Sequence, residues 1–498
     1  MVVLLGCVLR LSFLTTQSLW FDEGYTAWVV SLKPANIVRM ISADTAPPVY
    51  YLLLHAWCTV FGHAEWALRL PSALAGAAAM GLFPLLAWRV LKTHRAVLFT
   101  TVLFAIAEMP VAYAHEARFY SVMLLMAVIT ALAMLRLVLP VSTRQRATWI
   151  TFSTLCCAIS LYINNVMAIY IAAIFLAVLV MPGERHWRGR LFDLLVIGLA
   201  TSVIFLPWVP TMIAQSRSLR GHFWIDAPTG WTVVQTFSTL CNVSSYTDAA
   251  TDRAMAAVVT ILLVGSIAIG LKQLNTRGAT IAMGMIALLP IAVIFVMSRI
   301  NQPIFTNRAF IASCPFFVLL LAMPMAREWP RARVRKIAII LPVFWIIPAL
   351  TSLRANYAGE HLEQWREACG VVSAIPSGEK PLLVFVANEG EMLWDYYGRG
   401  GDYSRRENQV GLPAGFFEPD IPRTLRRVQS DEDLALLKSK LADHKYQQVI
   451  LFDSHYWWAD SEHRALKHLQ ASYSQTAKWE FNQITVWVFA KPSGDPVR

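Results

Sequence analysis

Residues 19–51 read LWFDEGYTAWVVSLKPANIVRMISADTAPPVYY. Three carboxylates, Asp22, Glu23 and Asp44, follow directly on a first apolar segment. They stand among Trp20, Tyr25 and Trp28, rings suited to a membrane–water boundary. Pro47-Pro48 then stops one element and opens another apolar run, Val49 to Phe61. Acids set against hydrocarbon are costly and are kept where function needs them. The stretch points to a membrane protein whose chemistry lies at the bilayer surface.

The rest of the chain fits that reading. Of 498 residues, 56% are hydrophobic and 15% charged, where soluble chains carry about 25% charge. The net charge is +11, but residues 1–353 hold 26 basic and 12 acidic side chains while residues 354–498 hold 17 and 20. The basic excess thus belongs to the apolar part, and loop position explains it better than a nucleic-acid partner.

Further apolar runs are expected to span at about Leu68–Trp88, Val97–Tyr113, Tyr120–Leu139, Ala147–Ile163, Met167–Met181, Leu191–Val209, Ala254–Leu271, Ala279–Met297, Ala309–Met325 and Ile337–Leu353. With Val2–Leu19 they make about eleven. That first segment barely reaches the ~20 residues a span needs and carries Arg10 in its middle, so either Arg10 is expected near the outer surface or the true start of the chain lies upstream. Val49–Phe61 is too short to span and is expected to lie along that surface.

Fifteen basic residues occupy alternate loops: Arg89, Lys92 and Arg95; Arg144 and Arg146; Arg185, Arg188 and Arg190; Lys272 and Arg277; Arg327, Arg331, Arg333, Arg335 and Lys336. Their side is cytoplasmic by the positive-inside rule, which puts the N-terminus inside and residues 354–498 outside. Nine of the twelve acids in residues 1–353 fall at or near the outer side: Asp22, Glu23, Asp44, Glu65, Glu108, Glu116, Asp226, Asp248 and Asp252.

Residues 354–498 change character. Strand-type runs at Leu382–Val386, Val449–Phe452 and Ile484–Phe489 alternate with helical stretches around His361–Val372, Asp431–Ala442 and Ser461–Leu469. The fold class is therefore a mainly α, polytopic membrane protein with a small C-terminal α/β extracytoplasmic domain. The seven cysteines show no metal-ligand spacing; Cys241 and Cys369 both fall outside the membrane, which leaves a bridge between them open. Asn242-Val243-Ser244 is a glycosylation sequon only where the compartment glycosylates.

Chemistry is expected at three places. Asp22-Glu23 offers a general base at the membrane surface, able to take a proton from an acceptor hydroxyl or amine; the bland alternative is an acidic first turn of a helix. YAHEARFY, residues 113–120, joins two spans by a charged turn in which Arg118 offers a fork of donors to a phosphate. Glu116 and Arg118 could equally be a rim ion pair worth little. Glu108, deeper in the same span, is free to pair with Arg118 or to reach outward. Arg308, in QPIFTNRAF, opens a span at its outer end, against the positive-inside preference. Asp431-Glu432-Asp433 has the look of a nucleotide-sugar DxD, but Ser430 three residues ahead of Asp433 makes it a helix cap. His455, His463 and His468 read as solvated. The chain has no Walker A, no Gly-rich dinucleotide loop and no GxSxG.

Taken together, Phe21-Asp22-Glu23, Asp44, Pro47-Pro48-Val49-Tyr50-Tyr51, Leu68-Arg69-Leu70-Pro71-Ser72 and Glu116-Ala117-Arg118-Phe119-Tyr120 resemble the GT-C glycosyltransferases of the family 39 type. These include bacterial enzymes similar to protein mannosyltransferases and to the lipid A aminoarabinose transferase. Arg308 and LEQWREA, residues 362–368, fit more loosely, and Phe119 stands where a smaller residue is expected. The resemblance covers the first 140 residues well and the rest by topology. It implies a cell-envelope enzyme of the cytoplasmic membrane, with residues 1–353 catalytic, loop 20–66 carrying the acidic motif and residues 354–498 outside. Such an enzyme takes a hexose or pentose from a polyprenyl-phosphate donor and passes it to a glycan, lipid or protein acceptor. By position, Asp22 is then the catalytic carboxylate, Glu23 its partner and Asp44 the second acid; Arg118 and Arg308 hold donor phosphate, and Tyr25, His115, Glu116 and Tyr120 line the substrate. Asp22, Glu23 and Asp44 would also be the ligands if the enzyme used Mg2+ or Mn2+, a point the residues leave open. The rivals are a secondary transporter, which would show internal repeats and midplane charges, a non-catalytic receptor or assembly protein, and a lipid-linked oligosaccharide ligase. Neither sugar, acceptor nor oligomeric state follows from the sequence.

Overall fold

The computed structural model describes residues 1–218, 225–240, 242, 249–301, 303–326, 345–354, 356–357, 362–375, 380–404, 407–414, 429–442 and 446–491. Cys241, Asp248, the last two residues of the sequon, the basic loop Arg327–Lys336 and residues 337–344 of the span expected at Ile337–Leu353 lie outside the described residues.

The chain is mainly helical, and it is a multi-pass membrane protein. Among the described residues five helices are long and apolar enough to cross a bilayer: Glu65–Leu91, Tyr120–Val138, Thr143–Ile163, Trp187–Arg217 and Leu274–Ile300. A sixth is broken, His94–Ala105 meeting Glu108–His115 at 55°. Val2–Leu11, Met167–Val180, Ala257–Lys272 and Asn307–Leu321 are apolar helices of 10–17 residues. Among the described residues the expected runs therefore recur as helices, but several are shorter than a span and the count of eleven is not reached on length.

The first segment shows why. Its helix ends at Leu11, and Phe13 takes a left-handed φ of 62°. The following Thr15-Thr16-Gln17-Ser18 is polar and does not resume the helix. Arg10 is fully buried: it donates to the carbonyls of Gly6 (2.8 Å), Ala105 (3.1 Å) and Phe104 (2.9 Å). Phe104 and Ala105 end the first half of the broken span. A break within an apolar span frees carbonyls that lipid cannot satisfy, and Arg10 donates to two at its edge, those of Phe104 and Ala105.

Glu65–Leu91 is the central helix. One face is small (Ser72, Ala73, Gly76, Ala79) and wholly or almost wholly buried, which lets neighbouring backbones approach. At Gly76 an added Cβ would lie 3.1 Å from that of Ala114, so the turn at Tyr113–His115 is seated directly against this helix.

Among its described residues the C-terminal part holds five strands: β1 (Leu382–Val386), β2 (Gln409–Leu412), β3 (Gln448–Ser454), β4 (Ser474–Phe481) and β5 (Ile484–Ala490), in the order β2-β1-β3-β5-β4. β1 runs parallel to both β2 and β3, while β5 is antiparallel to β3 and β4. Helices Trp365–Ser373, Gly390–Tyr397, Asp431–Ala442 and Arg464–Ser472 accompany them. Helix Gly390–Tyr397 packs on Phe21–Ser31, with Leu393 so close to Gly24 that a Cβ there would lie 2.6 Å from it. Cys369 is a free, buried thiol.

Candidate functional site

Residues 19–51 form two helices, Phe21–Ser31 and Pro34–Ser42, and open a third, Val49–Phe61. In the first, Asp22 and Glu23 occupy the opening turn, where carboxylates suit the helix dipole. Adjacent positions on a helix point about 100° apart, and the two acids accordingly meet different partners.

Glu23 turns inward. It is fully buried, and Arg69 of the central helix grips it as a fork, Nε to Oε1 at 2.8 Å and Nη2 to Oε2 at 2.5 Å. The Ala117 N–H donates to Oε1 at 2.7 Å, and the Trp20 N–H to Oε2 at 3.4 Å. The same Arg69 donates to the carbonyls of Leu14 (2.7 Å), Gln17 (2.8 Å) and Ser18 (2.9 Å). One ion pair thus ties the connecting segment, the acidic helix and the turn at residues 116–119 together.

Asp22 turns toward two arginines. Its Oδ2 accepts from Arg308 Nη1 at 2.7 Å and lies 3.8 Å from Arg118 Nη2. Its side chain is 15% exposed, against none for Glu23, so of the two only Asp22 is reachable. Arg118 is held by Tyr51 Oη (3.2 Å), Thr26 Oγ1 (3.4 Å) and the Asp22 carbonyl (3.4 Å), beside the rings of Phe119 and Tyr120. Arg308 lies over the Trp20 ring. Residues 22, 118 and 308, distant in sequence, meet at one point.

The other predicted residues spread around it. Asp44 is buried and takes a 3.3 Å bond from Thr45 Oγ1, within electrostatic reach of Arg118. Tyr25 packs in the core against Trp28. Tyr120 is buried against Tyr113 and Phe119. His115 Nε2 lies 3.0 Å from the Leu9 carbonyl. Glu116 does not pair with Arg118; its Oε2 is enclosed without a hydrogen-bond partner among the described residues. Burial pushes the Glu116 carboxyl up to about 8, with Glu23 and Asp22 adding to the shift and Arg308 and Arg118 opposing it. Glu108 likewise makes no pair with Arg118, and its N–H donates to Asn242 Oδ1 at 2.9 Å. Asn242 is buried, so the sequon's acceptor is not presented at the surface. A cavity of about 160 Å³ adjoins the site, lined by Glu108, Tyr113, His115, Glu116, Asn356 and Tyr357 among others; Asp22 is not in its wall.

Asp22, Glu23 and Asp44 do not form a shared metal site. Among the described residues no three His, Cys, Asp or Glu side chains converge on a common point, and the oxygens of Glu23 are taken by Arg69 and backbone N–H groups.

Two residues of consequence escaped the sequence reading. Arg69 was part of a motif, and its signal was an arginine one residue inside an apolar run. Glu363, in LEQWREA, is buried at the start of the acidic helix, where its Oε2 accepts the Phe21 N–H at 3.2 Å. His455, expected in solvent, instead faces Glu363 Oε1 at 3.3 Å and packs on Phe21, because the C-terminal part closes over this helix. Asp433 accepts from the Ser430 N–H at 2.8 Å while its own N–H donates to Ser430 Oγ, which makes the DxD-like run a helix cap.

Residues 45–210 match the model of the dolichyl-phosphate-mannose–protein mannosyltransferase family. No curated protein sequence matches the chain. Its structure is similar to ArnT from Cupriavidus metallidurans bound to undecaprenyl phosphate, with a TM-score of 0.58 and 14% identity over 98% of this chain and 97% of that one. The apo state of the same protein superposes with a TM-score of 0.57. An oligosaccharyltransferase from Archaeoglobus fulgidus, 11% identical over 99% of this chain and 73% of its own, gives 0.45. The fold of this chain is that of the GT-C glycosyltransferase superfamily.

Proposed function

We propose that the protein is an inverting glycosyltransferase that moves a sugar from a polyprenyl-phosphate donor to an acceptor on the outer face of the cytoplasmic membrane. The observation that carries this reading is the reachable Asp22 carboxylate held at 2.7 Å and 3.8 Å by Arg308 and Arg118. The undecaprenyl phosphate bound to ArnT, a protein of the same fold, supports the class of donor.

The residues divide the work. A sugar C1 bonded to lipid phosphate already has a competent leaving group. The reaction needs a base for the incoming hydroxyl or amine, cations for the departing phosphate and close placement of both. Arg308 and Arg118 would take the phosphate as planar forks of donors. A phosphate in that fork competes with Asp22 for the same N–H groups and loosens its grip, so donor binding readies the carboxylate to accept a proton. The acceptor oxygen or nitrogen then attacks C1 from the face opposite the phosphate, the C1–O bond breaks toward phosphate, and the proton passes to Asp22. Glu23, closed in by Arg69, serves as a positioning residue. The surplus of arginine and lysine in the alternate loops of the sequence supports an outer location for this chemistry and for residues 354–498.

The test is Asp22→Asn in membrane vesicles supplied with undecaprenyl-phosphate-linked sugars. Transfer should vanish while the thermal unfolding temperature in detergent stays put; a variant that still transfers removes Asp22 from the mechanism.

A further inference from the structure

The carboxyl ends of parallel strands are where open α/β sheets ordinarily take a ligand. In this protein the chain's own Phe21 lies there: it packs against the sheet's apolar core and on His455, the residue after β3, with ring centroids 4.9 Å apart. Phe21 is also the first residue of the helix that carries Asp22.

A helix start leaves N–H groups without partners inside the helix, and a side chain just ahead normally takes one of them. Trp20 cannot accept such a bond. The Phe21 N–H instead reaches Glu363 Oε2, an acceptor 342 positions away. Glu363 is fixed in turn by Trp365 Nε1 at 2.6 Å and by His455 at 3.3 Å. Ser18 Oγ donates to the Glu363 carbonyl and accepts the Trp365 N–H at 3.1 Å. The Leu19 N–H donates to Tyr397 Oη at 2.6 Å, and Tyr397 donates to Glu65 Oε1 at 2.5 Å. Residues 18, 19 and 21 are each bonded to the C-terminal part, and the next residue is the acid that meets Arg308.

We infer that Glu363 is a positioning residue for Asp22, and that the C-terminal α/β part takes part in the reaction by holding the first turn of the acid's own helix. The inference rests on Asp22 being the base. Loss of the grip lets that turn fray, and a shift of about 1 Å between Asp22 and the arginines is enough to lower transfer by as much as roughly a hundredfold.

The test compares Glu363→Ala, Glu363→Gln and Arg366→Gln in the full chain. Arg366 also docks this part, on Glu65 and the carbonyls of Thr15 and Gln17, but does not touch the helix start. Hydrogen exchange of a peptide covering residues 19–26 is read by mass spectrometry on protein in nanodiscs. Transfer is read from the glycolipids of cells lacking the gene and carrying each variant, with the host's own undecaprenyl-phosphate-linked sugars as donors. Glu363→Ala should speed exchange of that peptide and lower transfer, each about tenfold or more. Glu363→Gln, whose carbonyl still accepts the Phe21 N–H, should restore both to within about threefold, and Arg366→Gln should leave the exchange unchanged. Wild-type transfer by Glu363→Ala overturns the inference. So does a loss that Glu363→Ala, Glu363→Gln and Arg366→Gln share in proportion to their unfolding temperatures. An active Asp22→Asn would remove the base, whereas the exchange data decide separately whether Glu363 holds the helix.

Discussion

Arg69→Met removes the cation that closes off Glu23. Arg69 makes five hydrogen bonds, two to Glu23 and one each to the carbonyls of Leu14, Gln17 and Ser18. Both partners are at most 2% exposed, so water cannot replace what is lost. Methionine fills much of the volume but leaves a buried carboxylate unpaired, a change that costs about 3–5 kcal/mol. At about 2–4 °C per kcal/mol, the unfolding temperature should fall by roughly 10 °C. Arg69→Lys keeps the charge but cannot fork across Glu23 and three carbonyls, and should fall between. The double variant Glu23→Gln/Arg69→Met discriminates most sharply. Its amide oxygen still accepts the Ala117 N–H and no charge is stranded, so it should recover more than half of the loss. Fluorescence-detected unfolding in detergent reads all four proteins. A single Arg69→Met variant within about 2 °C of the parent, or a double variant less stable than the single one, refutes the claim that this pair organises the site.

Other consequences can be checked alongside. Arg308→Gln should weaken binding of undecaprenyl phosphate in detergent by about tenfold or more, since one charge-assisted contact of about 1.5–3 kcal/mol is lost, while Arg308→Lys retains part of it. Glu116 stays protonated in the folded protein up to about 8 but ionises near 4.5 when unfolded. The folded state therefore holds the extra proton between those values, and stability falls as pH rises through that window. Glu116→Gln should flatten this fall, measured as unfolding temperature against pH in the presence of its charged neighbours Glu23, Asp22, Arg308 and Arg118. Asp433→Ala should destabilise the helix Asp431–Ala442 by about 1 kcal/mol with transfer unchanged; loss of transfer without loss of stability would restore the DxD reading.

What could be read from the sequence follows from how local its cause is. The runs at 382–386, 449–452 and 484–489 are apolar and β-branched over consecutive residues, and all became strands. Ser474–Phe481 is an edge strand whose period of two, Ala477, Trp479 and Phe481 half-buried between exposed Lys478 and Glu480, runs over its second half alone, too short a signal to mark the whole strand. Gln409–Leu412 is four residues long with a glycine inside. In the membrane part the apolar runs located the helices, but not where they stop. The end of the first one depends on Phe13 and on carbonyls that Arg69 takes from 51 to 55 positions away.

The site divides along the same line. Asp22, Arg118 and Arg308 stood out because charge beside hydrocarbon is visible residue by residue, and the fold brings these three together across 286 positions. The resemblance singles out Asp22, but the residues by themselves do not tell which of two adjacent carboxylates faces the arginines, because that depends on a further basic residue, Arg69, reaching one of them from another helix. A buried ion pair adds little net stability compared with apolar packing, but it strongly penalises arrangements that leave either member alone. Here that penalty fixes the rotation of the Phe21–Ser31 helix: with Glu23 locked to Arg69, the residue before it on the spiral must look about 100° away, toward Arg308. The inert acid thus aims the reachable one, and the Glu23-Arg69 pair and the Phe21-Glu363 bond hold the same turn from opposite ends of the sequence.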